Sequence, residues 1–263
     1  MNDNKPLLES VEPDYIKEMT ARPEPIEKAK SMAGALATTI ISFGALAGAA
    51  YGQDTKLPGK IVDVLNFALT LEFLEDEFYR TALGSGNLIP AATRDVFGQI
   101  SKHETAHVNL LRSVLGSKAV AKPTFDFTAG GAFGDVFSNY QTFLAVSQAL
   151  EDTGVRAYKG QAGKLKSNDK ILTTALQIHS VEARHAAMVR RIRGEKPWIQ
   201  GDSRGTLPAA TQPIYNGDGN TKQGTVDVAR LPNVPGAVVA SQAFDEPLTK
   251  EEVLAIAGMF IRK

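Results

Sequence analysis

One acidic pattern occurs twice along this chain, and it constrains the fold more than any other feature. Each copy is a lone glutamate followed 32 or 31 residues later by Glu-x-x-His. The members of the two copies are Glu72, Glu104 and His107, and Glu151, Glu182 and His185. Seven residues after each lone glutamate comes a tyrosine, Tyr79 or Tyr158. The repeat predicts two equivalent halves that face one another.

Four segments with helical periodicity carry this pattern. Their apolar residues recur at steps of three and four, which is typical of amphipathic helices. The predicted helices span about residues 58–83, 92–115, 134–165 and 168–193. Short links join the first pair and the second pair, whereas about 18 residues separate the two pairs. The sequence therefore predicts an all-α four-helix bundle of two hairpins with one long crossover, which is the ferritin-like connectivity.

Each predicted helix places one glutamate on an otherwise apolar stripe. An ionised carboxylate in a packed core is unstable unless it is paired or binds a cation. Two divalent cations would neutralise four such groups, with one neutral imidazole on each ion. Since the chain has no cysteine, nitrogen and oxygen are the available ligands, and they suit iron, which we favour, or manganese. The six residues therefore predict a di-metal carboxylate site.

An alternative motif overlaps one copy of the pattern. Residues 103–107 spell His-Glu-x-x-His, the helix motif of zinc proteases, in which both histidines bind zinc. That interpretation needs a third ligand downstream, and Val181 occupies the position in the second copy that His103 occupies in the first. We therefore rank a zinc hydrolase below a di-metal site and expect His103 beside the ligands or at the surface.

Other polar residues near the pattern have ordinary structural interpretations. Glu75, Asp76 and Glu77 predict a solvated helix face, although Asp76 shares the stripe of Glu72. Five residues remain candidates for a supporting layer around the ligands: Tyr79, Tyr158, Asp76, His103 and His179.

Two flanking regions surround the predicted bundle, which occupies residues 58–194. Residues 1–57 comprise a polar leader and an uncharged Ala/Gly-rich stretch at 31–53, which is predicted as a helix and is long enough to cross a bilayer. That stretch could pack on the bundle, insert into a membrane or be cleaved as an export signal, and these alternatives stay open. Residues 195–263 are rich in Pro, Gly, Asn and Asp, which predicts a mostly irregular tail.

The end of the tail carries a helix-start signal. Thr249 and Glu252 have the spacing of a capping box, and Leu248 can pack on Val253. A short terminal helix is therefore predicted to dock on the bundle. Its docking face would consist of Val253, Ile256, Ala257 and Phe260.

Three stretches of the chain resemble a known family. They are residues 65–75 (LNFALTLEFLE), 181–187 (VEARHAA) and 243–253 (AFDEPLTKEEV). They are similar to the bacterial ferritin-like domain family that includes the desiccation-related proteins, over roughly residues 58–263. The resemblance implies a ferritin-like bundle and assigns the metal-ligand roles to the same six residues.

The function that these observations predict is a reaction at two metal ions, namely oxidation of Fe(II) or a reaction with dioxygen or peroxide. The alternative is a structural or stress-protective protein, associated with the envelope, in which the metals mainly stabilise the bundle. The zero net charge excludes a basic surface for nucleic acid. We expect a monomer or small homo-oligomer and not a 24-subunit cage, since long segments flank the bundle. We favour the bacterial cell envelope over the cytoplasm, with residues 31–53 as the attachment.

Overall fold

Four long helices dominate the computed structural model, which describes residues 57–262. Their bounds are Gly59–Gly84 (α1), Ala91–Leu115 (α2), Tyr140–Ala162 (α3) and Asp169–Ile192 (α4). Helix α1 packs along α2, and α3 packs along α4, while α1 contacts α3 and α2 contacts α4. The predicted all-α bundle of two hairpins joined by one crossover is thus confirmed. The predicted N-terminal apolar helix lies outside the described residues.

Local signals account for the helix ends. Asn139 and Asn168 cap α3 and α4, because their side-chain oxygens accept hydrogen bonds from backbone N–H groups in the first turn. Helix α2 stops at Gly116, whose φ of 55° lies in the left-handed region that favours glycine. The sequence placed the start of the third helix at residue 134, which is wrong by six residues. Residues before Asn139 form turns instead, and the Asn139 N–H bonds the Asp135 carbonyl.

The crossover, residues 116–139, runs along the outside of α1 and then meets the C-terminal end of the chain. Asn66 on α1 donates to the carbonyl of Lys118 and accepts from the N–H of Val120. Further along, Phe125 forms an isolated antiparallel bridge with Ile261. The crossover is therefore held by hydrogen bonds to both α1 and the tail.

The tail contains short elements with turns between them. A two-stranded antiparallel hairpin consists of Lys222–Gln223 (β1) and Val226–Asp227 (β2), and two short helices span Ala237–Ser241 (α5) and Lys250–Ala257 (α6). The predicted capping box is present: the Thr249 hydroxyl accepts from the Glu252 N–H, and the Glu252 carboxylate accepts from the Thr249 N–H. The four residues predicted to dock are buried, although Phe260 lies beyond the helix end.

A buried arginine attaches the tail to the bundle. Arg156, on α3, is 1 % exposed, and its guanidinium donates to the backbone carbonyls of Ile214, Asn216 and Glu246. The tail also donates a hydrogen bond to α3, from the N–H of Leu248 to the Arg156 carbonyl at 3.1 Å. One turn later, a Cβ on Gly160 would lie 2.0 Å from the Leu248 carbonyl oxygen. Only glycine permits this close approach of tail and helix.

Besides the pairing of Arg156 with Asp218 at 3.6 Å, a second buried ion pair links α3, α4 and the tail. Asp152 accepts two hydrogen bonds from the Arg190 guanidinium, at 2.6 and 2.5 Å, and a third from the Tyr215 hydroxyl at 2.7 Å. Within residues 57–262 no helix is long and apolar enough to cross a membrane.

Candidate metal centre

The glutamates and histidines of the repeated pattern lie together inside the bundle. Helices α1 to α4 each contribute one glutamate that is fully buried: Glu72, Glu104, Glu151 and Glu182. His107 and His185 follow the glutamates of α2 and α4 by three residues, so they project from the same helix faces into the core. Both histidines are buried.

The six residues form two overlapping groups of potential ligands. In one, ligand atoms of Glu72, Glu104, His107 and Glu182 all lie within 4.8 Å of one another. In the other, the same holds for Glu104, Glu151, Glu182 and His185. Glu104 and Glu182 belong to both groups, so each of them can bridge two ions. Glu72 and Glu151 each belong to one group.

Each imidazole directs one nitrogen at three carboxylates. His107 Nδ1 lies 3.1 Å from oxygens of Glu72 and Glu104 and 3.2 Å from Glu182. His185 Nδ1 lies 2.9 Å from Glu104, 3.1 Å from Glu151 and 3.9 Å from Glu182. A nitrogen carries at most one hydrogen, which cannot satisfy three acceptors. Each of these nitrogens therefore lies where a cation could be shared with the surrounding carboxylates.

Without metal, protons compensate part of the buried negative charge. Burial raises the pKa of Glu72 to about 7, against the lowering effect of His107. Burial and the neighbouring carboxylates hold the pKa of Glu182 well above its usual range. The pKa values of His107 and His185 are raised by Glu72, Glu104 and Glu151, which outweigh burial. These shifts keep the metal-free cluster from accumulating charge near neutral pH.

Two tyrosines link the helices of opposite hairpins across the site. The hydroxyl of Tyr79 on α1 donates to Glu151 on α3, and the hydroxyl of Tyr158 on α3 donates to Glu72 on α1. Each bond reaches the carboxylate that belongs to only one ligand group. The two hydrogen bonds follow the internal repeat of the sequence, and they orient the carboxylates of Glu72 and Glu151.

Comparison with known families agrees with this geometry. A model of the family described as "Ferritin-like domain" matches residues 60–195, which include the six clustered residues and all of the four bundle helices except Gly59. The chain belongs to the ferritin-like domain family. The ferritin-like fold expected from the sequence is thereby confirmed. No curated protein matches the chain.

In this ferritin-like centre His103 lies outside both ligand groups. Its Nδ1 lies 2.8 Å from Nε2 of His185, and its Nε2 lies 2.7 Å from the Gln99 amide. Burial, together with His185, lowers the pKa of His103 to about 4, so His103 is neutral at pH 7. It supports a clustered histidine and does not join the cluster, which disfavours the zinc-protease interpretation of residues 103–107.

Neither of the other two candidate supporting residues has a hydrogen bond to a clustered residue within the described part of the chain. Asp76 is buried, but its carboxylate accepts from the Thr105 hydroxyl at 2.6 Å and pairs with Arg80 at 3.3 Å. His179 Nδ1 lies 3.0 Å from the Val155 carbonyl oxygen, to which it donates. Both side chains thus have hydrogen-bond partners elsewhere in the bundle.

A fifth carboxylate near the ferritin-like cluster was missed by the sequence interpretation. Glu75 was expected on a solvated face with Glu77, yet it is 3 % exposed, and burial and the clustered glutamates hold its pKa well above its usual range. In the sequence repeat Glu75 corresponds to Gly154. A Cβ on Gly154 would lie 3.4 Å from Glu75 Oε1 and 3.2 Å from Glu182 Oε2, so the glycine makes room for both carboxylates.

The spacing i and i+3 from Glu72 was the available signal for Glu75, because it places both residues on one helix face. The predicted solvated position is correct for Glu77, which is partly exposed and pairs with Lys122 at 2.6 Å.

The residues fit two divalent ions in three respects. The donors are carboxylate oxygens and imidazole nitrogens, which iron and manganese accept. Neither oxygen of Glu182 has a well-directed hydrogen bond within the described part of the chain, although His107 Nδ1 lies 3.2 Å from one of them. Five of the six contacts between the histidine nitrogens and the carboxylate oxygens measure 2.9–3.2 Å, and the sixth is 3.9 Å. The five are close to the separation of about 3 Å between neighbouring ligands of an ion whose bonds are about 2.1 Å long.

Proposed function

We propose that this ferritin-like protein binds two divalent metal ions, iron in preference to manganese, and uses them to oxidise Fe(II) or to react with dioxygen or peroxide. The observation that carries the proposal is the pair of overlapping ligand groups with Glu104 and Glu182 in common. Buried carboxylates with unsatisfied oxygens are costly unless a cation binds them.

The chain's own residues would have distinct tasks in this function. Glu104 and Glu182 would bridge the two ions, Glu72 and His107 would complete one position, and Glu151 and His185 would complete the other. The tyrosine hydroxyls hold the non-bridging carboxylates in place before metal binds. When bound, the two ions would supply electrons and Lewis acidity for chemistry with dioxygen or peroxide.

The direct test is metal analysis of the purified protein, followed by anaerobic loading with Fe(II) and exposure to oxygen or peroxide. We expect two equivalents of metal and a change of absorption on oxidation. Glu104→Ala and Glu182→Ala should each lose most of the metal, whereas His179→Ala, a control outside the cluster, should keep it. Equal metal content in all four proteins would refute the ligand assignment.

The alternative function, a structural metal site, is favoured by the burial of the centre. All four clustered glutamates are 0 % exposed, and the histidines are 8 % and 4 % exposed. A closed site of this kind would stabilise the bundle without turnover, as an envelope-associated protective protein would require. Metal-dependent melting together with an unreactive loaded protein would support this alternative over the oxidative one.

A further inference from the structure

The two halves of the centre differ at the histidine nitrogen that faces away from the carboxylates. His185 directs Nδ1 at the carboxylates, and its other nitrogen, Nε2, lies 2.8 Å from His103 Nδ1. The two rings are stacked, with centroids 5.1 Å apart and planes 11° apart. His103 Nε2 in turn lies 2.7 Å from the Gln99 amide. A chain of two hydrogen bonds therefore extends from His185 to a half-buried position on α2.

One assignment of hydrogens satisfies this chain when His185 binds a cation. A histidine that binds metal through Nδ1 carries its hydrogen on Nε2, so His185 donates to His103 Nδ1. The Gln99 atom that lies 2.7 Å from His103 Nε2 is the amide nitrogen. Rotation of this amide by 180° places its oxygen there, and His103, with its hydrogen on Nε2, then donates to that oxygen. Each member thereby fixes the tautomer and ring orientation of the next.

Within the described part of the chain, His107 has no partner that corresponds to His103. Among residues 57–262 no hydrogen bond is made by its Nε2, and in the second sequence copy the residue that corresponds to His103 is Val181. Other features of the two positions match, since each has one histidine, one non-bridging glutamate and one tyrosine bound to that glutamate. The difference between the two halves is concentrated at His103.

We propose that His103 is a positioning residue that makes the two metal positions unequal, so that the position of His185 and Glu151 binds its ion more tightly and fills first. The inference rests on the proposed metal site. A hydrogen-bonded partner behind a ligating histidine orients the ring and raises its basicity. Loss of such a partner typically costs 10- to 100-fold in metal affinity.

Anaerobic titration of the metal-free protein with Co(II), followed by absorption and metal analysis, tests this inequality. The wild-type protein should bind two equivalents in separate steps. His103→Val, which copies the natural Val181, should weaken the tighter step about 10- to 100-fold and leave the weaker step unchanged. His103→Gln retains a polar group and should lose less, which provides a second test if the valine variant folds poorly. His179→Val is the matched control and should titrate like the wild type.

A double-mutant comparison locates the effect. In a His185→Ala background only the His107 position remains, so adding His103→Val should change nothing. In a His107→Ala background the same substitution should weaken the remaining site. If His103→Val weakens Co(II) binding equally in both backgrounds, or weakens it in neither, the assignment of His103 is overturned. The proposed function would still stand in that case, provided that the wild type binds two ions. Absence of any Co(II) binding by the wild type would overturn both.

Discussion

Metal removal should leave a bundle whose stability falls as the pH rises, and the pKa of Glu72 sets the size of the effect. Burial raises this pKa from 4.5 to about 7, so the folded state holds a proton that the unfolded state releases. A group whose pKa is raised by folding stabilises the fold fully at a pH below its pKa in the unfolded chain. This stabilisation is lost as the pH rises through its pKa in the folded protein. Between pH 5 and 7, Glu72 alone accounts for a loss of about 2 kcal/mol.

Three other clustered groups act in the same direction. The pKa values of Glu182, His107 and His185 are all raised in the folded protein, so each also binds more proton there than in the unfolded chain. Glu104 has the opposite sign because His185 and His107 outweigh burial and lower its pKa, but its effect appears only in acid below about pH 4.5. The stability of the metal-free protein should therefore decline from pH 5 to 8.

Thermal melting of chelator-treated protein at pH 5, 6, 7 and 8 measures this decline. A loss of about 2 kcal/mol corresponds to a fall in Tm of about 5 °C for a chain of this size. The Tm of the metal-loaded protein should not fall with pH in this way, because metal binds more tightly as its ligands deprotonate. The gap between the two forms should widen with pH, and Glu72→Gln should reduce the slope of the metal-free form.

A metal-free Tm that stays constant or rises between pH 5 and 7 would refute this reasoning, because the buried cluster would then not depend on bound protons. If metal-free and loaded protein melt together at pH 7, the six residues do not form a metal site.

Three further predictions follow from the same structure. Loading metal at pH 7 should release protons, largely from Glu182, His107 and His185, and an indicator titration that shows no release would contradict the protonated metal-free cluster. Arg156→Met should cost at least about 3 kcal/mol in urea unfolding, since three tail carbonyls lose a charged donor, and a loss below about 1 kcal/mol would show that the tail does not depend on it. Light scattering should give a monomer or small oligomer, and a 24-subunit particle would contradict this expectation.

The bundle and the six clustered residues could be predicted because their signals are local. Helical period is visible within each segment, and a glutamate on an apolar stripe is anomalous wherever the partner helices lie. Glu-x-x-His adds a fixed spacing on one face, and its repetition identifies the two hairpins as equivalent halves.

Features that depend on distant residues could not be predicted in this way. The spacing of Glu75 from Glu72 signals only a shared helix face. Its burial depends on the absence of a side chain at Gly154 and on the packing of α6, whose Ile256 and Ala257 line the small cavity beside it. The bond between His103 and His185 joins α2 to α4 at a separation of 82 residues. No single-sequence pattern reports such contacts between helices.

The attachment of the tail through Arg156 has a consequence for synthesis on the ribosome. Arg156 emerges in the third helix, but its carbonyl partners at Ile214, Asn216 and Glu246 are translated 58, 60 and 90 residues later. A nascent chain with all four bundle helices would still hold a cation that cannot be buried without those partners. Water must therefore solvate that face of α3 until the tail arrives, and the packing around Arg156 is completed only after Glu246 has emerged.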